Sequence, residues 1–209
     1  MIKHLVWDWN GTLFHDIEAI VGATNEVFEP YELPKLDADA FRAVYTRPVW
    51  VTYEKLLGRE LREGEWKLLD DTFHASYYRL MAACRLAEGA ERLIKEWGGS
   101  QSLCSMAPHD HLEPLVKSFG IHEHFLRVDG LRDGKTGGEK AAHLAAHLAG
   151  MPVRPEQILV IGDSVDDGVA ARAVGARAVL YTGGMSTRAE LERTGFPVVD
   201  TLAEALNHA

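Results

Sequence analysis

The chain has 209 residues, 46% of them hydrophobic and 25% charged, the composition of one or two globular domains, which excludes disorder, collagen and coiled coil. Its 22 Lys+Arg against 31 Asp+Glu leave a net charge of −9, a balance that repels a phosphate backbone and sets nucleic acid aside as a partner. Two cysteines, Cys84 and Cys104, are too few for a disulfide framework or a four-cysteine zinc site and read as small core hydrophobes.

The first apolar run, His4-Leu5-Val6-Trp7, stops at Asp8 and Asn10, which makes it a strand and not the apolar region of a signal peptide. No uncharged apolar run reaches the roughly 18 residues that span a membrane, so the expected location is cytoplasmic. From about Asp16 to Cys84 there is no β-rich run. That stretch reads as helices broken at Pro30, Pro34, Pro48 and Gly58, with helical spacing clear in Glu65–Leu69 and in Phe73, Tyr77, Leu80 and Met81. Beyond it, helix and strand alternate. Helices are expected over 88–97, 110–119, 139–149, 167–174, 186–194 and 201–207. Strands are expected at Ser102-Leu103-Cys104, Phe125–Val128, Gln157–Ile161, Ala178–Tyr181 and Pro197–Val199.

Continuous apolar strands of this kind are buried on both faces, and their alternation with amphipathic helices predicts a three-layer, Rossmann-like parallel α/β sheet. Ligands of such sheets bind beyond the carboxyl ends of the strands. Residues 1–15 and 85–209 form this core, and 16–84 an inserted α-helical cap over its rim, with hinges near His15–Asp16 and Arg85–Gly89.

Four pieces of chemistry fall at strand ends. Asp8, in Asp8-Trp9-Asn10-Gly11-Thr12-Leu13, is placed as a nucleophile, a metal ligand or merely a turn carboxylate, with Gly11 allowing a sharp turn beside it. Asp163, Asp166 and Asp167 lie within five residues of one another; one explains a helix cap, but three suit a divalent cation such as Mg²⁺. Ser105, followed by Met106, offers a hydroxyl to a phosphoryl oxygen. Lys140 brings positive charge to the same rim; Lys135 is its rival.

The order and spacing of Asp8-x-x-Gly11-Thr12-Leu13, Ser105, Lys140 and Gly162-Asp163-Ser164-x-x-Asp167, with Ala170, Ala171 and Gly175 following, resemble the haloacid dehalogenase-like hydrolase superfamily, and the overall plan its phosphoglycolate phosphatase-like branch. The resemblance covers nearly the whole chain. It implies a phosphatase of small phosphorylated metabolites, monomeric or a small homo-oligomer, that forms an aspartyl-phosphate on Asp8. It also implies a Mg²⁺ site of Asp8, the backbone carbonyl of Asn10 and Asp163, with Asp167 holding metal-bound water and Ser105 and Lys140 at the transferring group. Lys140 is preferred to Lys135 because it opens an apolar helix leading to the Gly162-Asp163 strand.

One position departs from that pattern. Phosphatases of the superfamily carry Asp two residues after the nucleophile as general acid and base, and here the residue is Asn10. An amide neither gives a proton to an alkoxide nor takes one from water, a function worth about 10²–10⁴-fold. His15 or a cap histidine is a candidate substitute, and a leaving group of low pKa needs less help. Three readings stay open: a Mg²⁺-dependent phosphatase, slowed or suited to good leaving groups; a dehalogenase-type hydrolase, against which the acidic cluster argues; and a non-catalytic binder of a phosphorylated ligand.

Other features are set aside. Gly134-Lys135-Thr136 resembles the end of a Walker loop, but Asp129 stands where that pattern needs glycine. His143 and His147 lie on one helical face that reads as partly exposed, and His109, His111, His122 and His124 read as solvated. Trp66, Phe73, Tyr77 and Tyr78 read as cap core. In the segment Tyr45–Trp50, Arg47 is placed to read a substrate carboxylate or second phosphate.

Overall fold

The computed structural model describes residues 1–132 and 137–209. In chain order its elements begin with β1 (His4–Trp7) and β2 (Phe14–His15). Four helices follow, α1 (Ile17–Phe28), α2 (Ala38–Val44), α3 (Val49–Leu57) and α4 (Glu65–Leu80). The chain then runs through β3 (Arg85–Leu86), α5 (Ala90–Glu96), β4 (Ser100–Pro108), α6 (His109–Ser118) and β5 (Val128–Leu131). It ends with α7 (Ala141–Leu148), β6 (Ile158–Gly162), α8 (Val165–Ala173), β7 (Arg177–Tyr181), α9 (Arg188–Arg193), β8 (Val198–Val199) and α10 (Leu202–Leu206).

Six strands form one parallel sheet in the order β5-β4-β1-β6-β7-β8. The order runs outward in both directions from β1, so the switch point, where α/β sheets bind ligands, lies at the end of β1. The period of two along each strand divides the core. Leu5, Trp7, Leu159 and Ile161 face one apolar layer under α5, α6 and α10. Val6, Ile158 and Val160 face the other, under α7 and α8. This is the three-layer α/β sheet expected from the sequence. One strand is displaced: the apolar residues Phe125–Val128 suggested it, but Leu126 is exposed and β5 begins only at Val128.

The antiparallel pair β2–β3, two residues each, matches Phe14 with Leu86 and His15 with Arg85. Everything between these strands is helical, apart from turns, and carries its own apolar clusters around Ile20, Phe41 and Tyr77 and around Phe28, Tyr53 and Leu69. Among the described residues no helix is long and apolar enough to cross a membrane.

A buried polar chain ties β1, β4 and α7 together and corrects one expectation. His147 is not on an exposed face; it is 1% exposed, with Nε2 2.8 Å from Ser102 Oγ and Nδ1 2.8 Å from Asp129. The same Ser102 oxygen lies 2.8 Å from His4 Nε2, and His4 Nδ1 lies 2.8 Å from Ser100 Oγ. Ser102, His147 and Asp129 have the connectivity of a hydrolytic triad, but the serine is sealed in the sheet and no substrate reaches it. His109 is likewise buried, its Nδ1 accepting from the Gly130 amide at 3.3 Å.

Burial pushes the His4 and His147 imidazoles down to about 4. Their neutral forms are fully present above 6.5, the unfolded value, and stability is lost as pH falls from there towards 4. Each contributes a slope of up to about 1.4 kcal/mol per pH unit in that window. His4→Phe should therefore lose stability less steeply than the native chain between pH 6.5 and 4 in thermal melts. Equal slopes would show that His4 titrates normally.

Candidate active site

β1, β4 and β6 deliver the predicted residues to one place. Asp8 follows β1, where its amide donates to the Ile161 carbonyl at 2.9 Å. Asp163 follows β6, Asp167 lies in the first turn of α8, Ser105 lies in β4, and Lys140 precedes α7. Asp8, Asp163 and Asp167 each place a carboxylate oxygen within 4.8 Å of the others. The rival Lys135 and the sequence Gly134-Lys135-Thr136 lie outside the described residues.

Each acid is fixed by neighbours that the local sequence supplies. Asp163 accepts from Thr12 Oγ1 at 2.9 Å and from the Met185 amide at 2.7 Å. Gly11 has φ +74°, and a Cβ there would stand 2.5 Å from Asp163 Oδ2, so both conformation and space demand glycine. Asp167 is at once a helix cap and a site residue. One oxygen accepts from the Ser164 amide at 3.0 Å and hydroxyl at 2.6 Å, and the other accepts from Lys140 Nζ at 2.6 Å. Asp166 accepts from the Lys140 amide at 2.9 Å, which anchors the entry to α7.

Lys140 is 2% exposed and its ammonium donates to both Asp8 and Asp167. Burial alone would lower its pKa, but the two carboxylates outweigh that and hold it charged. Asp167 shows the converse: burial raises it, and Lys140 and Ser164 bring it below the ordinary carboxylate range. One lysine does not balance three acids. Burial pushes Asp8 up to about 6 despite Lys140. Burial and the charges of Asp8 and Asp167 push Asp163 well above its usual value. A cluster that resists ionising in full is one whose donor set fits a divalent cation.

Asn10 is engaged in a contact that sequence reasoning did not find. Its Nδ2 donates to Asp16 Oδ2 at 2.7 Å and to the Tyr77 hydroxyl oxygen at 2.8 Å, while that hydroxyl donates to Asp16 Oδ2 at 2.6 Å. Asp16 Oδ1 accepts from the Gly11 amide at 2.9 Å, and Asp16 is fully buried. Tyr77, expected only as helical core, therefore joins α4 to the loop after β1. Asp16, eight residues beyond Asp8, was visible only as part of a hinge. His15 is exposed, and no histidine is among the described residues that line the site.

A small cavity of about 30 Å³ is bordered by Asp8, Asn10, Ser105, Lys140, Asp163 and Arg47, with Met106 and Met185 also in its wall. Ser105 is buried and its Oγ accepts from the Ala107 amide at 3.1 Å. Arg47 reaches this rim but is already partnered. Its Nη1 donates to the Gly138 carbonyl at 2.9 Å, its Nε donates to the Tyr45 hydroxyl at 3.2 Å, and Asp166 lies 3.8 Å away.

The family model for HAD-hydrolase-like proteins matches residues 137–205. The chain is 28% identical over 206 residues to a phosphoglycolate phosphatase from Mannheimia succiniciproducens, with 87% of this chain and 86% of that one covered. It is 26% identical over 200 residues to a phosphoglycolate phosphatase from Haemophilus influenzae, with the same shares covered. Among solved structures, a haloacid dehalogenase-like family hydrolase from Streptococcus pneumoniae superposes with a TM-score of 0.84 at 20% identity, covering 99% of this chain and 98% of that one.

Proposed function

We propose that the chain, which is similar to phosphoglycolate phosphatases and matches a HAD-hydrolase-like family model over residues 137–205, is a haloacid dehalogenase-like phosphatase that hydrolyses small phosphate monoesters through Asp8 with Mg²⁺ as cofactor. The observation that carries this reading is Asp8 at the end of the central strand, bound by Lys140 and set among Asp163 and Asp167. Residues 1–15 and 85–209 serve as the catalytic core and 16–84 as the cap that closes over it.

In this mechanism a carboxylate oxygen of Asp8 attacks phosphorus and the bond to the leaving oxygen breaks. The aspartyl-phosphate is then cleaved by water, which releases phosphate and restores Asp8. Lys140 keeps Asp8 ionised and offsets the charge of the phosphoryl oxygens, and Ser105 offers them its hydroxyl. Asp8, the Asn10 carbonyl, Asp163 and Asp167 would hold Mg²⁺, which supplies the positive charge that Lys140 alone does not.

Phosphate release from acetyl phosphate and p-nitrophenyl phosphate tests the proposal, because both leaving groups depart without a proton donor. Turnover in Mg²⁺ that disappears in EDTA is the expected result. No release from either substrate, by folded protein in Mg²⁺, would overturn it.

A further inference from the structure

A second cavity adjoins the first and shares Asn10, Tyr45, Arg47, Met106 and Met185 with it. Its volume is about 130 Å³, close to the roughly 150 Å³ of an apolar cavity that takes up benzene. It lies between the helical insertion and the sheet. Phe41, Phe73, Tyr77 and Tyr78 wall it from one side and Ala107 and Leu112 from the other. Tyr78 is further braced by His111, stacked on it with ring centroids 3.9 Å apart.

The wall is mostly aromatic and aliphatic; its charged or imidazole side chains among the described residues are Arg47, Asp70, His74 and His111, with His74 Nδ1 2.8 Å from the Asp70 carbonyl oxygen and His111 stacked on Tyr78. Among the described residues Arg47 is its one guanidinium, and that group already meets Tyr45, the Gly138 carbonyl and Asp166. The proton supply points the same way. Where the two cavities meet, Asn10 has no acidic proton, and the Tyr77 hydroxyl is directed at Asp16. At that junction an alkoxide meets no acid, whereas a phenol, with a pKa of about 10, is displaced as its phenolate with far less penalty.

We propose that the substrate is an aryl phosphate: its phosphoryl group sits at Asp8 and its single uncharged ring fills the aromatic cavity between insertion and sheet. The inference rests on the phosphatase reading given above. The step balances without an acid from the protein: the Asp8 oxygen bonds to phosphorus, the aryl oxygen leaves with the bonding pair, and the phenolate takes its proton from solvent.

Two comparisons test it, one of them independent of turnover. In Mg²⁺, phenylphosphonate should bind about 10–100-fold more tightly than methylphosphonate, the advantage of burying one ring. Phenyl phosphate should exceed 2-phosphoglycolate in kcat/KM by at least tenfold. In Ala107→Phe, whose added ring occupies the cavity, the phenyl-to-methyl affinity ratio should fall to about one, read on protein shown to be folded by circular dichroism. Equal phosphonate affinities, preference for phosphoglycolate, or a ratio that persists in Ala107→Phe would each overturn the assignment while leaving the phosphatase reading intact. Absence of release from acetyl phosphate would overturn that reading instead, and the phosphonate ratio would still decide the cavity.

Discussion

Asp8→Asn is expected to lower phosphate release by on the order of 10⁴-fold or more, the scale of removing a catalytic nucleophile, and at the same time to stabilise the metal-free fold. The second half follows from burial. The Asp8 carboxyl is pushed up to about 6, above its ordinary 3.8, so the folded chain binds this proton more tightly than the unfolded chain does. Ionised Asp8 therefore costs stability above about pH 6, and the cost fades as pH falls towards 4. An amide of the same shape keeps an oxygen for Lys140 and carries no charge. In EDTA at pH 8 the variant should gain on the order of 3 kcal/mol, several degrees for a chain of this size, and should lose that advantage by pH 4. A variant that melts below the native chain at pH 8 would show that the Lys140 pair outweighs burial.

The second large effect concerns Asn10. Restoring a carboxylate there looks from sequence like a simple repair of the proton relay. The structure predicts otherwise, because the introduced oxygen would face Asp16 Oδ2 across the 2.7 Å now spanned by an N–H donor. Two buried carboxylates at that separation cannot both ionise. Asn10→Asp alone should melt several degrees lower at pH 8, and adding Asp16→Ser should recover the loss. The double variant should hydrolyse alkyl phosphates about 10²–10⁴-fold faster while acetyl phosphate changes little, since its leaving group needs no proton. A folded double variant with no gain on alkyl phosphates would show that proton transfer at position 10 does not limit the reaction.

The Asn10 case also shows where reading the chain alone runs out. Asp8, Asp163, Asp167, Ser105 and Lys140 were legible because each sits at a strand exit or helix entry that apolar runs and glycines mark. Whether they converge depends on strand order, which the order β5-β4-β1-β6-β7-β8 answers by placing their strands side by side. Asp16 and Tyr77 carried no such mark: 61 residues separate them, and their meeting depends on how α4 returns to the loop after β1. His147 failed for a related reason. A histidine among alanines and leucines resembles a surface turn, and only packing against Ser102 and Asp129 reveals it as an interior polar joint. Arg47 lies at the rim where the sequence placed it, and only the folded chain shows its Nε on the Tyr45 hydroxyl, its Nη1 on the Gly138 carbonyl and Asp166 3.8 Å away.

The ribbon of β2 and β3 has a consequence for how this molecule can change. Because Phe14 faces Leu86 and His15 faces Arg85, the polypeptide departs from the sheet and rejoins it at practically one point. Segments whose ends are neighbours can be exchanged without redrawing the host's topology. The helical insertion is thus grafted on a two-residue clasp, separate from the strands that end at Asp8 and Asp163. Selection is free to rewrite the helices between residues 16 and 84 as a replaceable part, provided that the Asn10–Asp16–Tyr77 stitch is redrawn along with them.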